Sequence, residues 1–155
     1  MKIDIKKLVI SILIPLVIGG ISAIFTYNAM DSYDLLTKPA FSPPNILFPI
    51  VWTILFILMG ISSYMIYTSN DEERGDALRI YGIQLVLNFF WSIIFFSLEL
   101  RLVSFVWIIL LIIAVIVMIV RFLKINKTAG YLQIPYLLWL LFAAVLNLSI
   151  YLLNR

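Results

Sequence analysis

Five apolar stretches, at residues 8–27, 46–67, 78–97, 102–120 and 131–153, take up most of this 155-residue chain. Each approaches or exceeds the roughly 20 residues that a helix needs to cross about 30 Å of hydrocarbon. Every Lys, Arg, Asp and Glu lies between these stretches or at their ends, so no formal charge falls in mid-bilayer. A backbone in lipid must satisfy its own hydrogen bonds, and uninterrupted apolar runs of this length do so as helices. The pattern predicts an all-α polytopic membrane protein, a bundle of five transmembrane helices forming one domain over residues 1–155.

Composition agrees. Hydrophobic residues are 64% of the chain and charged residues 12%, about half the usual 25% of a globular surface. A net charge of +3 is gathered in the loops, which reads as membrane topology and gives no expectation of a nucleic-acid partner. Histidine and cysteine are both absent, which removes disulfides, thiolate chemistry, a histidine base and the usual zinc sites. No metal and no covalent cofactor are expected. A tetrapyrrole, if bound, would be held by its rings rather than through a His or Cys bond to iron.

Basic residues divide unequally between the two sides. One side carries Lys2, Lys6, Lys7, Arg74, Arg79, Arg121, Lys124 and Lys127, the other only Lys38, Arg101 and Arg155. The positive-inside rule therefore puts the N-terminus in the cytoplasm, the C-terminus and the first loop outside, and the protein in the cell membrane. Lys6 and Lys7 before an apolar run that meets Gly19, Gly20, Ser22 and Ala23 have the flavour of a signal peptide. Apolar character nevertheless continues through Phe25 and Tyr27 to full spanning length.

The first loop, residues 28–45, is long for so small a bundle. Pro39, Pro43 and Pro44 forbid a helix in its second half, and its stiffness and aromatic content suggest a lid. The second loop is a solvated acidic turn with no expected role. The third is short enough to make spans three and four a tight hairpin. No internal repeat of the kind common in transporters is visible.

In lipid, packed interfaces and cavities are marked by small and polar side chains, because burying leucine against leucine gains little. Gln84, Asn88 and Trp91 share one face of span three; Tyr136, Trp139, Ala143, Asn147 and Tyr151 share one of span five; Phe48, Trp52, Phe56, Met59 and Ser63 share one of span two. Interfacial belts account for Trp107 and Tyr131, and helix-to-helix hydrogen bonds for single amides. Trp91 and Trp139 lie too deep for a belt, and Ala143, one turn from Trp139, leaves space. A flat apolar ligand suits these faces. Span four, aliphatic from Ile108 to Val120 apart from Ala114 and Met118, is expected to be lipid-facing support.

The run from Ser32 to Gly60 resembles the TspO/MBR family, the tryptophan-rich sensory proteins and translocator proteins also called peripheral benzodiazepine receptors. It does so through Tyr33, Lys38-Pro39, Phe41, Pro43-Pro44, Phe48, Val51-Trp52 and Met59-Gly60. Gly19-Gly20, Asn88 with Trp91, Pro135-Tyr136, Trp139, Phe142-Ala143 and Leu146-Asn147 extend the likeness over essentially the whole chain. The resemblance implies a five-helix receptor whose pocket binds porphyrins and benzodiazepine-site ligands. Its ligand-binding residues would be Tyr33, Pro43, Trp52, Phe56, Asn88, Trp91, Trp139 and Ala143. It also implies a homodimer, and light- and oxygen-dependent breakdown of a protoporphyrin-like tetrapyrrole; if an excited porphyrin oxidises a neighbouring indole, Trp52 and Trp139 would be the photochemical residues. Lys38 or Arg101 would meet a propionate at the mouth.

Departures are Ser32 and Phe89, where many relatives have Trp, and Leu148, which stands at the tyrosine of the animal cholesterol motif. A shifted match to that motif, Val145 through Tyr151 to Arg155, is a weak pattern. Alternative readings are a porphyrin or small-molecule transporter, and a ligand-regulated sensory partner of another membrane protein.

Overall fold

A computed structural model describes residues 2–155, and among them the only regular secondary structure is helix. Five helices are long and apolar enough to cross a membrane. Asp4 starts the first, α1 (Ile5–Thr26), by accepting from the Lys7 amide at 3.2 Å, one of the orphan donors of a helix start. A 3-10 turn, Tyr27–Ala29, then leads directly into the short α2 (Met30–Asp34). The first half of the expected loop is thus helical, while residues 39–44 are not, as three prolines require.

The second span is α3 (Leu47–Tyr67) and the third α4 (Arg74–Ser92). The third ends in a π turn, Ile93–Ser97. There the Leu98 amide reaches back five residues to the Ile93 carbonyl at 2.9 Å, widening the last turn. Leu98 to Leu100 alone join it to α5 (Arg101–Ile125), and Glu99 takes a left-handed φ of 56° to close this hairpin. The last span is divided. Asn126 caps α6 (Lys127–Leu132) by accepting from the Ala129 amide at 3.1 Å, and Pro135, which lacks an amide hydrogen, begins α7 (Ile134–Asn154).

Helix α1 packs on α3 and α4, and α5 packs on α4 and α7. Two glycines set the first contact. A Cβ on Gly60 would press into the backbone of Ile12 and lie 2.7 Å from the Ser11 carbonyl, and one on Gly19 would strike the Phe56 ring. The helices thus approach backbone to backbone at Gly60 and backbone to ring at Gly19, as small residues allow in membranes.

Span four corrects the expectation made for it. Within its apolar window 44% of α5 is buried, the largest share of the five spans, against 11% for the first. Ile108, Leu111, Val115, Met118 and Phe122, all fully buried, run down one face at spacings of three and four and pack between α4 and α7. Shape complementarity among aliphatic side chains, rather than small or polar residues, makes this the central staff of the bundle. Lipid-facing support falls to α1. Trp107 is likewise no belt residue, because its Nε1–H donates to the Leu87 carbonyl of α4 at 2.8 Å.

Candidate functional site

A cavity of about 480 Å³ lies between α1, α3, α4 and α7 under the first loop, within the usual range for a small-molecule site. Of the eight residues singled out in the sequence, Tyr33, Trp52, Phe56, Asn88, Trp91, Trp139 and Ala143 all line it. Pro43 does not: it sits in the coil leading to α3, and Asn45 two residues later reaches the cavity in its place.

The α3 and α7 wall is an indole corner. Trp52 and Trp139 are 6.5 Å apart, centroid to centroid, with their planes at 90°. Trp52 is backed by Phe56, stacked at 5.5 Å, and Phe56 in turn occupies the space that Gly19 leaves. Trp139 is met edge-on by Phe48 at 6.0 Å. Such edge-to-face pairs suit the ring quadrupoles, so the corner is held without a ligand.

Opposite, two polar staples join α4 to its neighbours. Asn88 Nδ2 donates to the Tyr136 hydroxyl at 2.7 Å, and that hydroxyl donates to Gln84 Oε1 at 2.7 Å. Trp91 Nε1 donates to Asn147 Oδ1 at 3.1 Å, which also accepts from Ser104 Oγ at 3.0 Å, while Asn147 Nδ2 donates to the Arg101 carbonyl at 2.9 Å. Asn88, Trp91 and Asn147 therefore serve twice, as helix-to-helix bonds and as cavity wall.

Tyr33, 1% exposed, plugs the lid end. Its ring lies 5.2 Å from Phe96 and 6.4 Å from Phe48. The π turn puts Phe95 and Phe96 both on the cavity; no periodicity in the sequence announced this. The α1 contribution, Gly19, Gly20, Ser22, Ala23 and Thr26, was also missed as a wall. Its signal was present in the run of small residues.

Among the described residues, none that line the cavity is Asp, Glu, Lys or Arg, and no cluster suited to a metal ion occurs. Lys38 is already engaged. Its ammonium donates to the carbonyls of Tyr33 at 3.1 Å and Asp34 at 3.2 Å and lies over the Tyr33 ring, tying down the lid. Arg101 lies 5.3 Å from the centroid of the Phe95 ring and does not line the cavity. The site is aromatic and without formal charge among its lining residues, its polar groups being the hydroxyls of Ser22, Thr26, Tyr27, Tyr33, Thr53 and Ser92, the amides of Asn45, Asn88 and Asn147, and the indole N–H groups of Trp52, Trp91 and Trp139.

Comparison with known proteins places these features in context. The sequence model of the TspO/MBR family matches residues 11–153. A tryptophan-rich protein TspO of Archaeoglobus fulgidus is 44% identical over 152 residues, covering 97% of this chain and 99% of its own. One from Chlorobaculum tepidum is 38% identical over 157 aligned residues, covering 99% of each. The protein CrtK of Rhodobacter capsulatus is 34% identical over 138, covering 88% of this chain and 85% of its own.

Proposed function

The chain belongs to the TspO/MBR family of membrane proteins, and on that premise we propose that it is a receptor whose cavity takes up a protoporphyrin-like tetrapyrrole or a similarly flat apolar ligand. The observation that carries this reading is the perpendicular pair Trp52 and Trp139, lining a chargeless cavity of suitable size. Perpendicular indoles do not sandwich a macrocycle. One stacks on its face while the other meets its edge, with Asn88 as a polar contact. Each aromatic contact contributes about 0.5–1.5 kcal/mol beyond burial, so several together support affinity near about 1 µM. Carboxylates on such a ligand stay at the mouth, since nothing inside would neutralise them.

The receptor acts in the cell membrane with its N-terminus in the cytoplasm, as the distribution of basic loop residues supports. A titration with protoporphyrin in the dark, followed by tryptophan quenching, tests the reading. The parent protein is expected to saturate at one ligand per chain, and Ala143→Phe, which fills the floor beside Trp139, to bind at least about tenfold more weakly. Equal affinity for both, or no saturation, refutes it.

A second reading, photo-oxidative breakdown of the bound porphyrin, is favoured by the same indole corner. An excited macrocycle stacked there has two oxidisable rings in contact and needs no acid or base, with dissolved oxygen as the oxidant. Bleaching under light should slow in both Trp52→Phe and Trp139→Phe; bleaching at the parent's rate in both removes this reading. Transport finds less support, because the cavity walls hold no charged group to couple to an ion gradient.

A further inference from the structure

Resting on the cavity being the ligand site, we propose that ligands reach it sideways from the bilayer, through a slot between α1 and α3 whose width is set by Gly20 and Ala23 on one rim and Pro49 and Thr53 on the other. All four residues line the cavity and are at the same time exposed, as are Tyr27 and Asn45 at the loop end of the same slot. A residue that is both wall and surface marks an opening.

The opening lies at membrane depth. Gly20 comes six residues before the end of α1 at Thr26, and Thr53 six residues after the start of α3 at Leu47, so each is about 9 Å down its helix. The two helices are antiparallel neighbours, and the two residues therefore stand at matching depth. With α1 spanning a hydrocarbon layer of about 30 Å, both face acyl chains rather than water.

The rims have the chemistry of a lipid-facing passage. Gly20 presents no side chain, and a Cβ placed on it would meet no atom within 4 Å. Ala23 adds only a methyl group. The hydroxyl of Thr53 is bonded within its own helix, donating to the Pro49 carbonyl at 2.7 Å, so it needs no partner from lipid or ligand. The neighbouring Gly19 is different, since its missing side chain is filled by Phe56. One glycine of the pair serves packing and the other leaves a gap.

The opposite route, through the lid, is fastened. Thr37 is bonded twice to Asn154, Asn45 Nδ2 donates to Asp34 Oδ1 at 2.6 Å, Lys38 holds the end of α2, and Tyr33 is wedged among Phe48, Phe95 and Phe96. A ligand already dissolved in the membrane meets the slot along its length; one in water meets a fastened roof and only the slot's upper end, between Tyr27 and Asn45.

Stopped-flow quenching by protoporphyrin, with the full chain in lipid nanodiscs, tests the slot by comparing the parent with Gly20→Leu and, from the other rim, Thr53→Leu. Narrowing a passage raises the barrier in both directions, so association and dissociation are expected to slow together by roughly tenfold. Damage to the pocket alone would speed dissociation instead. Parent rates in both variants, or slower association with faster dissociation, overturn the proposal, as does Asn154→Ala accelerating both steps while the rim variants leave them unchanged. Should one rim variant fail to fold, the other decides. A parent protein that shows no quenching at all refutes the receptor reading rather than the slot.

Discussion

Asn154, at the last turn of α7, grips the backbone of Thr37 in the first loop at both of its polar groups: the Thr37 amide donates to Asn154 Oδ1 at 2.9 Å, and Asn154 Nδ2 donates to the Thr37 carbonyl at 2.8 Å. An amide side chain here replaces a strand partner and ties residues far apart in sequence. Together with Lys38 it fixes a lid that proline alone would only stiffen. Each bond is worth about 0.5–1.5 kcal/mol net. Asn154→Ala is expected to raise the hydrogen-exchange rate of the Thr37 amide by about 10- to 100-fold. An unchanged rate would show the lid to be held by other means.

The Tyr136 hydroxyl stands between two amides and satisfies both. Tyr136→Phe leaves Gln84 Oε1, in a side chain that is fully buried, without its donor and Asn88 Nδ2 without its acceptor. A loss of about 1–2 kcal/mol is expected in detergent unfolding, near the upper end for polar contacts between membrane helices. Full stability in the variant would mean that the amides find other partners.

The glycines separate packing from passage. Gly60→Ala drives a methyl group into the backbone of Ile12 and Ser11, which cannot yield as a flexible side chain would, and is expected to cost more than about 2 kcal/mol. Gly20→Ala, meeting nothing, should leave the unfolding midpoint where it is or raise it, because alanine is the better helix former. Equal effects of the two would contradict the contact geometry.

The absence of cysteine makes orientation simple to measure. Single substitutions Asn70→Cys and Ala40→Cys, both at exposed loop positions, should be labelled by a membrane-impermeant maleimide only from the cytoplasm and only from outside, respectively. The reverse pattern would invert the topology that the basic residues imply.

Much of this was legible before any coordinates. Five apolar runs about as long as the hydrocarbon is thick leave little choice of fold, and aromatic stripes at helical spacing on spans two, three and five face one cavity. Pro43 was misplaced because motif order says nothing about which side of a coil turns inward. The burial of α5 escaped notice because aliphatic residues look alike whether they meet lipid or protein; only complementary surfaces on α4 and α7 decide between the two. The π turn was hidden for a related reason. Ile93 to Ser97 read as ordinary helix, whereas the wider turn there, next to the short Glu99 hairpin, carries Phe95 and Phe96, both on the cavity. Small residues on span one were visible as a sequence feature, but their meaning as one rim of an opening required the neighbouring helix.

Fluorine resonances of the four tryptophans, labelled as 5-fluorotryptophan and followed while protoporphyrin is added in the dark, test the central claim most directly. Trp52, Trp91 and Trp139 line the cavity, whereas Trp107 is bonded to α4 away from it. The first three signals are expected to shift or broaden saturably while that of Trp107 stays in place. A response confined to Trp107, or uniform across all four, would contradict binding in the indole-walled cavity.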